Sequence, residues 1–354
     1  MQEFTYTASP MRVVFGAGTI KRLPDELERL GISRALVLAT PRQQAELGDL
    51  ASLTGLRMAG VFGGAIVHTP LAVTERAMQA VDELKPDGIV AIGAGAATGL
   101  SKAIALRTDL PQLVVPTSYA GSEMTPALGE TKDGVKTTQS SPKILPEAVI
   151  YDVNLTLSMP ARFSVLSGFN AMAHSLEALY ARDRNPVISL MAQEAIAKLA
   201  AALPEVSARP NDVGVRTDAL YGAWLSGVCL GSVGMALHHK LCHTVGALFD
   251  LPHAETHTVL LPHTIAYNTP AASDALGRAA SALRTSDAAS GVFELERRLN
   301  MPLSLAEIGM PKNGIERAAE LAAKNPYWNP RAIEQEAIRN LLQRAWSGAR
   351  PQSS

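Results

Sequence analysis

The sequence predicts an α/β dinucleotide-binding domain, a parallel sheet with helices on both faces, followed by an all-α helical domain. Three observations predict it. Short β-branched runs alternate with helical stretches up to about residue 160. Beyond that point the strand signal fades and long alanine-rich helical periods take over. Seven of the eight histidines lie in that second part, between His174 and His263.

Taken in order, RVVFG (12–16), RALVLAT (34–40), AGVFGGAI (59–66), GIVAIG (88–93), QLVVPT (112–117) and AVIYD (148–152) read as strands. Each is a short apolar run between turn residues, the pattern of a strand buried on both sides. Between them, TIKRLPDELERLG, PRQQAELGDLASLTG, TPLAVTERAMQAVDELK and GLSKAIALRT read as helices. Strand–helix alternation implies a parallel sheet, which binds ligands beyond the carboxyl ends of its strands. After LTLSMP the segments FSVLSGFNAMAHSLEALYA, PVISLMAQEAIAKLAAAL, VRTDALYGAWLSGVCLGSV, ASDALGRAASAL and ASGVFELERRLN carry apolar residues at three- and four-residue spacing. The boundary falls near Pro160, giving domains 1–160 and 161–354. No Ser/Gly linker joins them, so two packed domains with a cleft are expected.

Composition narrows the function classes. The 354 residues carry 32 Lys plus Arg against 33 Asp plus Glu, a net charge of −1. That balance argues against nucleic acid bound through bulk charge. Cys229 and Cys242 are too few for a disulfide framework and read as reduced thiols in a cytoplasmic protein. The start, MQEFTYTASP, has no signal-peptide pattern, and no apolar run is long enough for a membrane span. A soluble enzyme is the expectation.

Two loops suit a nucleotide. After the fourth strand, Gly93, Gly95, Ala96 and Thr98 form a small-residue turn entering a helix. Glycine admits a phosphate, and a helix N-terminus offers unpaired N–H groups. The spacing is G-x-G-x-x-x-G, so an ordinary βα turn explains it equally well. After the fifth strand comes Pro116-Thr117-Ser118-Tyr119-Ala120-Gly121-Ser122-Glu123, whose hydroxyls and amides suit a pyrophosphate or ribose.

Six histidines lie between His238 and His263. Asn170 and His174 share a helix face, as do His239 and His243, and His253 follows in a loop. Two helices and a loop would bring these to one point, a metal or proton-transfer centre. His238, His257 and His263 read as ordinary core or surface histidines.

Five pieces together resemble the iron-containing alcohol dehydrogenase family. They are Phe15–Gly18, the glycine turn, the P-T-S…G-S-E loop, the A-x-x-H-S-x-E helix from Ala171 to Glu177, and the histidine block ending in Pro252 and His253. The resemblance implies a dehydroquinate synthase-like fold and hydride transfer with a nicotinamide cofactor. It puts the family's metal positions at Asn170, His174, His239 and His253. It puts His243 beside the nicotinamide as a proton donor, and Lys136 close to the nucleotide. It also implies a homodimer.

Two departures carry expectations. Asn170 stands where the family has an aspartate, so metal is expected to be dispensable. Thr40 stands where relatives often carry an aspartate that repels a 2′-phosphate, so NADPH is expected to serve as well as NADH. The segments IGAGAATGLSKAIAL, VPTSYAGSEMTP, FNAMAHSLEALYA, LCHTVGALFDLPHAETH and NPYWNPR resemble one branch that reduces an unsaturated keto-dicarboxylate. For that reaction His243 is the leading acid, with His253, His239 and His174 lining the pocket. Thr40, Gly93, Gly95, Ala96, Thr98, Thr117, Ser118 and Lys136 would hold the cofactor. A small dicarboxylate also needs cations or donors, for which Lys143, Arg162, Arg331, His68 and Tyr119 are candidates. The rival reading is a metal-dependent alcohol or glycerol dehydrogenase of the same family.

Overall fold

The computed structural model describes residues 3–47, 52, 54–55, 57–133, 135–324 and 326–352. The chain divides into two compact units. One is Ala8–Met159; the other is Pro160–Ser354 together with Met1–Thr7.

The first unit is built on a six-stranded sheet. Its strands are β1 (Arg12–Gly16), β2 (Ala35–Leu38), β3 (Met58–Phe62), β4 (Gly88–Gly93), β5 (Gln112–Pro116) and β8 (Ala148–Asp152). They lie in the order β1-β8-β5-β4-β2-β3, and every pairing is parallel. β4 is buried along its whole length, as a strand covered on both faces must be. Its alternate residues Val90 and Ile92 pack with Leu23 and Leu27 of α1 (Leu23–Arg29). Ile89 and Ala91 therefore point to the opposite face, and both are fully buried. α2 (Pro41–Leu47) follows β2, α3 (Leu71–Leu84) follows β3, and α4 (Gly95–Thr108) follows β4.

An antiparallel hairpin, β6 (Ala127–Lys132) with β7 (Val135–Ser140), escaped the sequence reading. Its signal was the dipeptide Asp133-Gly134, a sequence of the kind that closes hairpins. Asp133 has the positive φ that such turns demand.

The second unit is helical. α5 (Ala161–Tyr180), α6 (Pro186–Ala208) and α7 (Val213–Ser232) pack on one another. α6 is long and apolar enough to cross a membrane, yet it lies against α5 and α7 as a core helix. α8 (Leu237–Phe249) and α9 (His253–Asn268) follow, then α10 (Ser273–Leu283), α11 (Ala288–Arg298), α12 (Ile315–Lys324) and α13 (Gln335–Ser347). Leu237, Leu241, Val245, Leu260, Ile338 and Leu342 form the middle of one apolar core there.

One sequence expectation needs correcting at α9. His253 was placed in a loop, but it is the first residue of that helix, directly after its N-cap Pro252. A proline in that place fixes φ before the first turn, and Glu255 favours the positive end of the helix dipole. The seven histidines from His174 to His263 therefore stand on three helices. His257, one turn along from His253, falls on the same helix face.

Candidate active site

At the carboxyl ends of β2, β4 and β5, three of the expected cofactor residues meet. Thr40 caps α2. Its hydroxyl accepts the Gln43 backbone N–H at 3.2 Å, and Gln43 Oε1 accepts the Thr40 N–H at 3.0 Å. This is a reciprocal capping box, legible in hindsight as T-P-R-Q. The Thr40 hydroxyl also donates to Gln43 Oε1 at 2.8 Å, and Gln43 Nε2 donates to Thr117 Oγ1 at 3.3 Å. Thr117 N–H in turn donates to the Gly93 carbonyl. Gln43 was not singled out from the sequence.

The glycine turn differs from its expected form. α4 begins at Gly95, inside the motif, with Ala94 as its N-cap. Gly93 has φ +149, and a Cβ there would overlap the Gln43 side chain. A Cβ on exposed Gly95 would meet nothing within 4 Å. The space beside a fourteen-residue helix N-terminus is thus open, as a pyrophosphate requires. Ala96 and Thr98 are buried in the first turns of α4. Ser118 is buried in the second loop. The Lys136 backbone pairs with Thr131 in the hairpin, and its side chain lies outside the described residues.

Beneath that second loop lies Lys102, which is buried. Its ammonium donates to the carbonyls of Ser122, Thr125 and Ala127 and to the Thr125 hydroxyl. Burial pulls its pKa down to about 7, and the neighbouring Glu123 pulls it back up.

In the helical unit the histidines do converge. The His174 and His239 rings stack at 5.1 Å between centroids. His239 lies 5.1 Å from His257 and 6.3 Å from His243, and His253 lies 4.4 Å from His257. His174, His239 and Asn170 are buried, whereas His243 and His253 are exposed. Burial holds His174 well below the usual imidazole range, and the neighbouring rings of His239 and His253 lower it further. The same cause lowers His257 and His238. Burial therefore disfavours the protonated form of His174, His238 and His257, whereas His243 and His253 stand at the exposed side of the cluster.

Glu177 is the main residue the sequence reading left without a role. It stands three positions after His174 on α5, on the same side of the helix. Its carboxylate accepts from the Ala236 and His238 backbone N–H groups and lies 2.6 Å from His239 Nδ1. A buried carboxylate with such donors fixes the imidazole proton on Nδ1 and leaves Nε2 of His239 as a lone pair. That Nε2, Nδ1 of His174, Nε2 of His257 and Oδ1 of Asn170 are all buried with no hydrogen-bond partner among the described residues. Tyr327 was missed as well; its hydroxyl stands 3.5 Å from His243 Nδ1.

His238 and His257 are part of the cluster, contrary to their reading as ordinary histidines. His238 Nε2 and His257 Nδ1 are 3.0 Å apart, and His238 Nδ1 lies 3.1 Å from the Thr264 hydroxyl. Cys242 Sγ is 3.6 Å from His238 Nε2. Burial pushes the Cys242 thiol well up, so it stays protonated.

The expected substrate residues fare differently. Arg331 is engaged by Tyr267. Its guanidinium lies over the Tyr267 ring at 4.2 Å and donates to the Tyr267 carbonyl. It lines a hollow of about 700 Å³ with His263, Tyr267 and Arg344, and none of His174, His239 or His253 lines that hollow. The cation–π contact explains the placement. Arg162 is exposed and donates to the Asn300 carbonyl. Lys143 is paired with Asp109. Tyr119 is fully enclosed, which leaves it no open face for a substrate. His68 is exposed with φ +64, and its carbonyl accepts from Thr131.

The donor set can be tested against the iron of the resembled family. Three imidazoles and an amide are present, and no carboxylate. A divalent cation placed among them would gain no formal negative charge from its ligands. The Glu177 carboxylate beside His239 is already engaged by the Ala236 and His238 N–H groups. The residues present do not fit a tightly held iron.

Family models match both units. The model for iron-containing alcohol dehydrogenases matches residues 10–153, and that for the C-terminal part of the Fe-containing alcohol dehydrogenase family matches residues 164–346. The chain is 55% identical over 352 residues to maleylacetate reductase from Rhizobium sp. strain MTP-10005, covering 99% of this chain and 100% of that one. A crystal structure of maleylacetate reductase from Agrobacterium tumefaciens superposes with a TM-score of 0.97 at 55% identity, covering 99% and 100%. A sulfoacetaldehyde reductase from Bifidobacterium kashiwanohense, solved in complex with NAD+, shares the fold alone, with a TM-score of 0.91 at 20% identity over 98% and 100%.

Proposed function

The chain belongs to the iron-containing alcohol dehydrogenase family, and from that premise we propose that it reduces the C=C bond of maleylacetate to give 3-oxoadipate. The carrying observation is 55% identity to a maleylacetate reductase along the full length of both chains. A nicotinamide cofactor, NADH or NADPH, supplies the hydride when bound. Gly95, Thr98 and Thr117 at the strand ends are the residues proposed to hold it.

The reaction is maleylacetate plus NAD(P)H plus a proton, giving 3-oxoadipate and NAD(P)+. Hydride adds to the carbon β to the ketone, and the electron pair of the C=C bond moves onto the ketone oxygen. The chain must then stabilise an enolate and deliver a proton to the α-carbon. His243 is the proposed acid, because it is exposed to solvent and stands on the same face of α8 as His239. His253, His239 and His174 are proposed to line the substrate pocket beside it. Asn170 supports a reaction without a resident metal, since the amide supplies no charge to anchor one. The working form is proposed to be a cytoplasmic homodimer.

The test is NADH oxidation with fresh maleylacetate before and after exhaustive treatment with EDTA. Activity untouched by the chelator is the expected result. Activity that vanishes and returns with iron or zinc overturns the metal-free part. No activity with maleylacetate, but turnover of simple alcohols, favours the metal-dependent alcohol dehydrogenase.

A further inference from the structure

A single carboxamide ties three strand ends of the first unit together. The capping box explains what Gln43 Oε1 does, and it occupies both the N–H and the hydroxyl of Thr40. It does not explain Nε2. That atom reaches across to Thr117 at the end of β5, and the side chain lies over Gly93 at the end of β4. In open parallel sheets the ribose and phosphates of a dinucleotide lie at these ends, and the residue after the second strand reads the 2′ position.

We infer that Gln43, and not Thr40, is the residue that reads the 2′ position of the cofactor. Nε2 carries two hydrogens. One goes to Thr117, and the other is available to the nucleotide. An amide N–H donates to a 2′-hydroxyl and more strongly to a charged 2′-phosphate, so Gln43 makes both NADH and NADPH acceptable. A carboxylate in its place accepts from the hydroxyl and repels the phosphate. Thr40 acts by holding Gln43. The inference rests on reading the strand ends as the nicotinamide-nucleotide site.

Gln43→Glu tests it, because glutamate completes the same capping box and leaves the fold intact. The readout is NADH and NADPH binding, followed by nucleotide fluorescence without any substrate. Placing a charge there is expected to weaken NADPH about ten-fold or more and NADH far less. Gln43→Ala, which deletes the donor, is expected to weaken NADPH more than NADH. An equal loss for both nucleotides, or no change in either, overturns the assignment. Maleylacetate is absent from the assay, so a failure of the substrate reading leaves this result standing.

Discussion

Nδ1 of His239 stands 2.6 Å from Oε2 of Glu177, with both side chains closed to solvent. The contact sets the ring's tautomer and its angle, and so aims the unpartnered Nε2. Glu177→Gln puts an amide NH₂ against groups that already donate, the N–H groups of Ala236 and His238. The expected result is a fall in kcat of about ten- to a hundredfold. Stability should drop by about 1–3 kcal/mol, the cost of unmatched buried donors. The KM for NADH should hold, since the residues proposed to hold the nucleotide lie on the other unit. A Glu177→Gln enzyme with unchanged kcat would end the orienting role of Glu177.

His243 makes a sharper case. It is exposed, four positions after His239, and 3.5 Å from the Tyr327 hydroxyl. General acid catalysis is worth about 10²–10⁴-fold, so His243→Ala should lose that much in kcat. Tyr327→Phe should lose less, because the hydroxyl sits at the outer limit of a hydrogen bond. If His243→Ala keeps most of its rate under single-turnover conditions, the proton comes from elsewhere.

The sheet was legible because a strand buried on both faces must be continuously apolar. GIVAIG and AVIYD name their strands to the residue. The hairpin was missed because ALGETK and VKTTQS are largely polar, so only Asp133-Gly134 announced them. In the site, the i,i+4 rule paired Asn170 with His174 and His239 with His243, which needs no knowledge of the fold. Glu177 was invisible as a functional residue, because its partners are backbone amides sixty residues away on another helix. Arg331 was misjudged for a related reason. A sequence shows a cation but not the ring of Tyr267 that captures it.

Asn170 can be made to restore what the metal site lacks. Its Oδ1 is buried and unpartnered, one helical turn before His174, so an aspartate there has no competing donor among the described residues. Asn170→Asp adds the negative charge a divalent cation needs. After dialysis against iron or zinc, the variant should retain clearly more metal than the parent, as measured by elemental analysis. Equal, stoichiometric metal in both would show that the amide was already sufficient. Maleylacetate turnover by the metal-loaded variant need not rise, since the proposed chemistry does not pass through the ion.

Glu296 is an untouched reserve of stability. It lies on α11, fully buried, and neither carboxylate oxygen has a partner among the described residues. Burial raises its pKa well above the ordinary 4.5. In the unfolded chain the group ionises near that ordinary value, while the folded chain keeps its proton. Folding therefore carries no ionisation penalty below about pH 4.5. The penalty grows by about 1.4 kcal/mol per pH unit above it, until the folded group ionises too. Glu296→Gln has the same shape and cannot ionise. Its Tm should match the parent near pH 4 and exceed it increasingly as the pH rises. Glu296→Leu removes the unsatisfied oxygens as well, so it should be more stable than the parent even at pH 4, by about 1–3 kcal/mol. Melting curves for the three proteins across that range decide the matter. A Gln variant whose advantage does not change with pH would mean that the carboxyl is already paired or hydrated in solution.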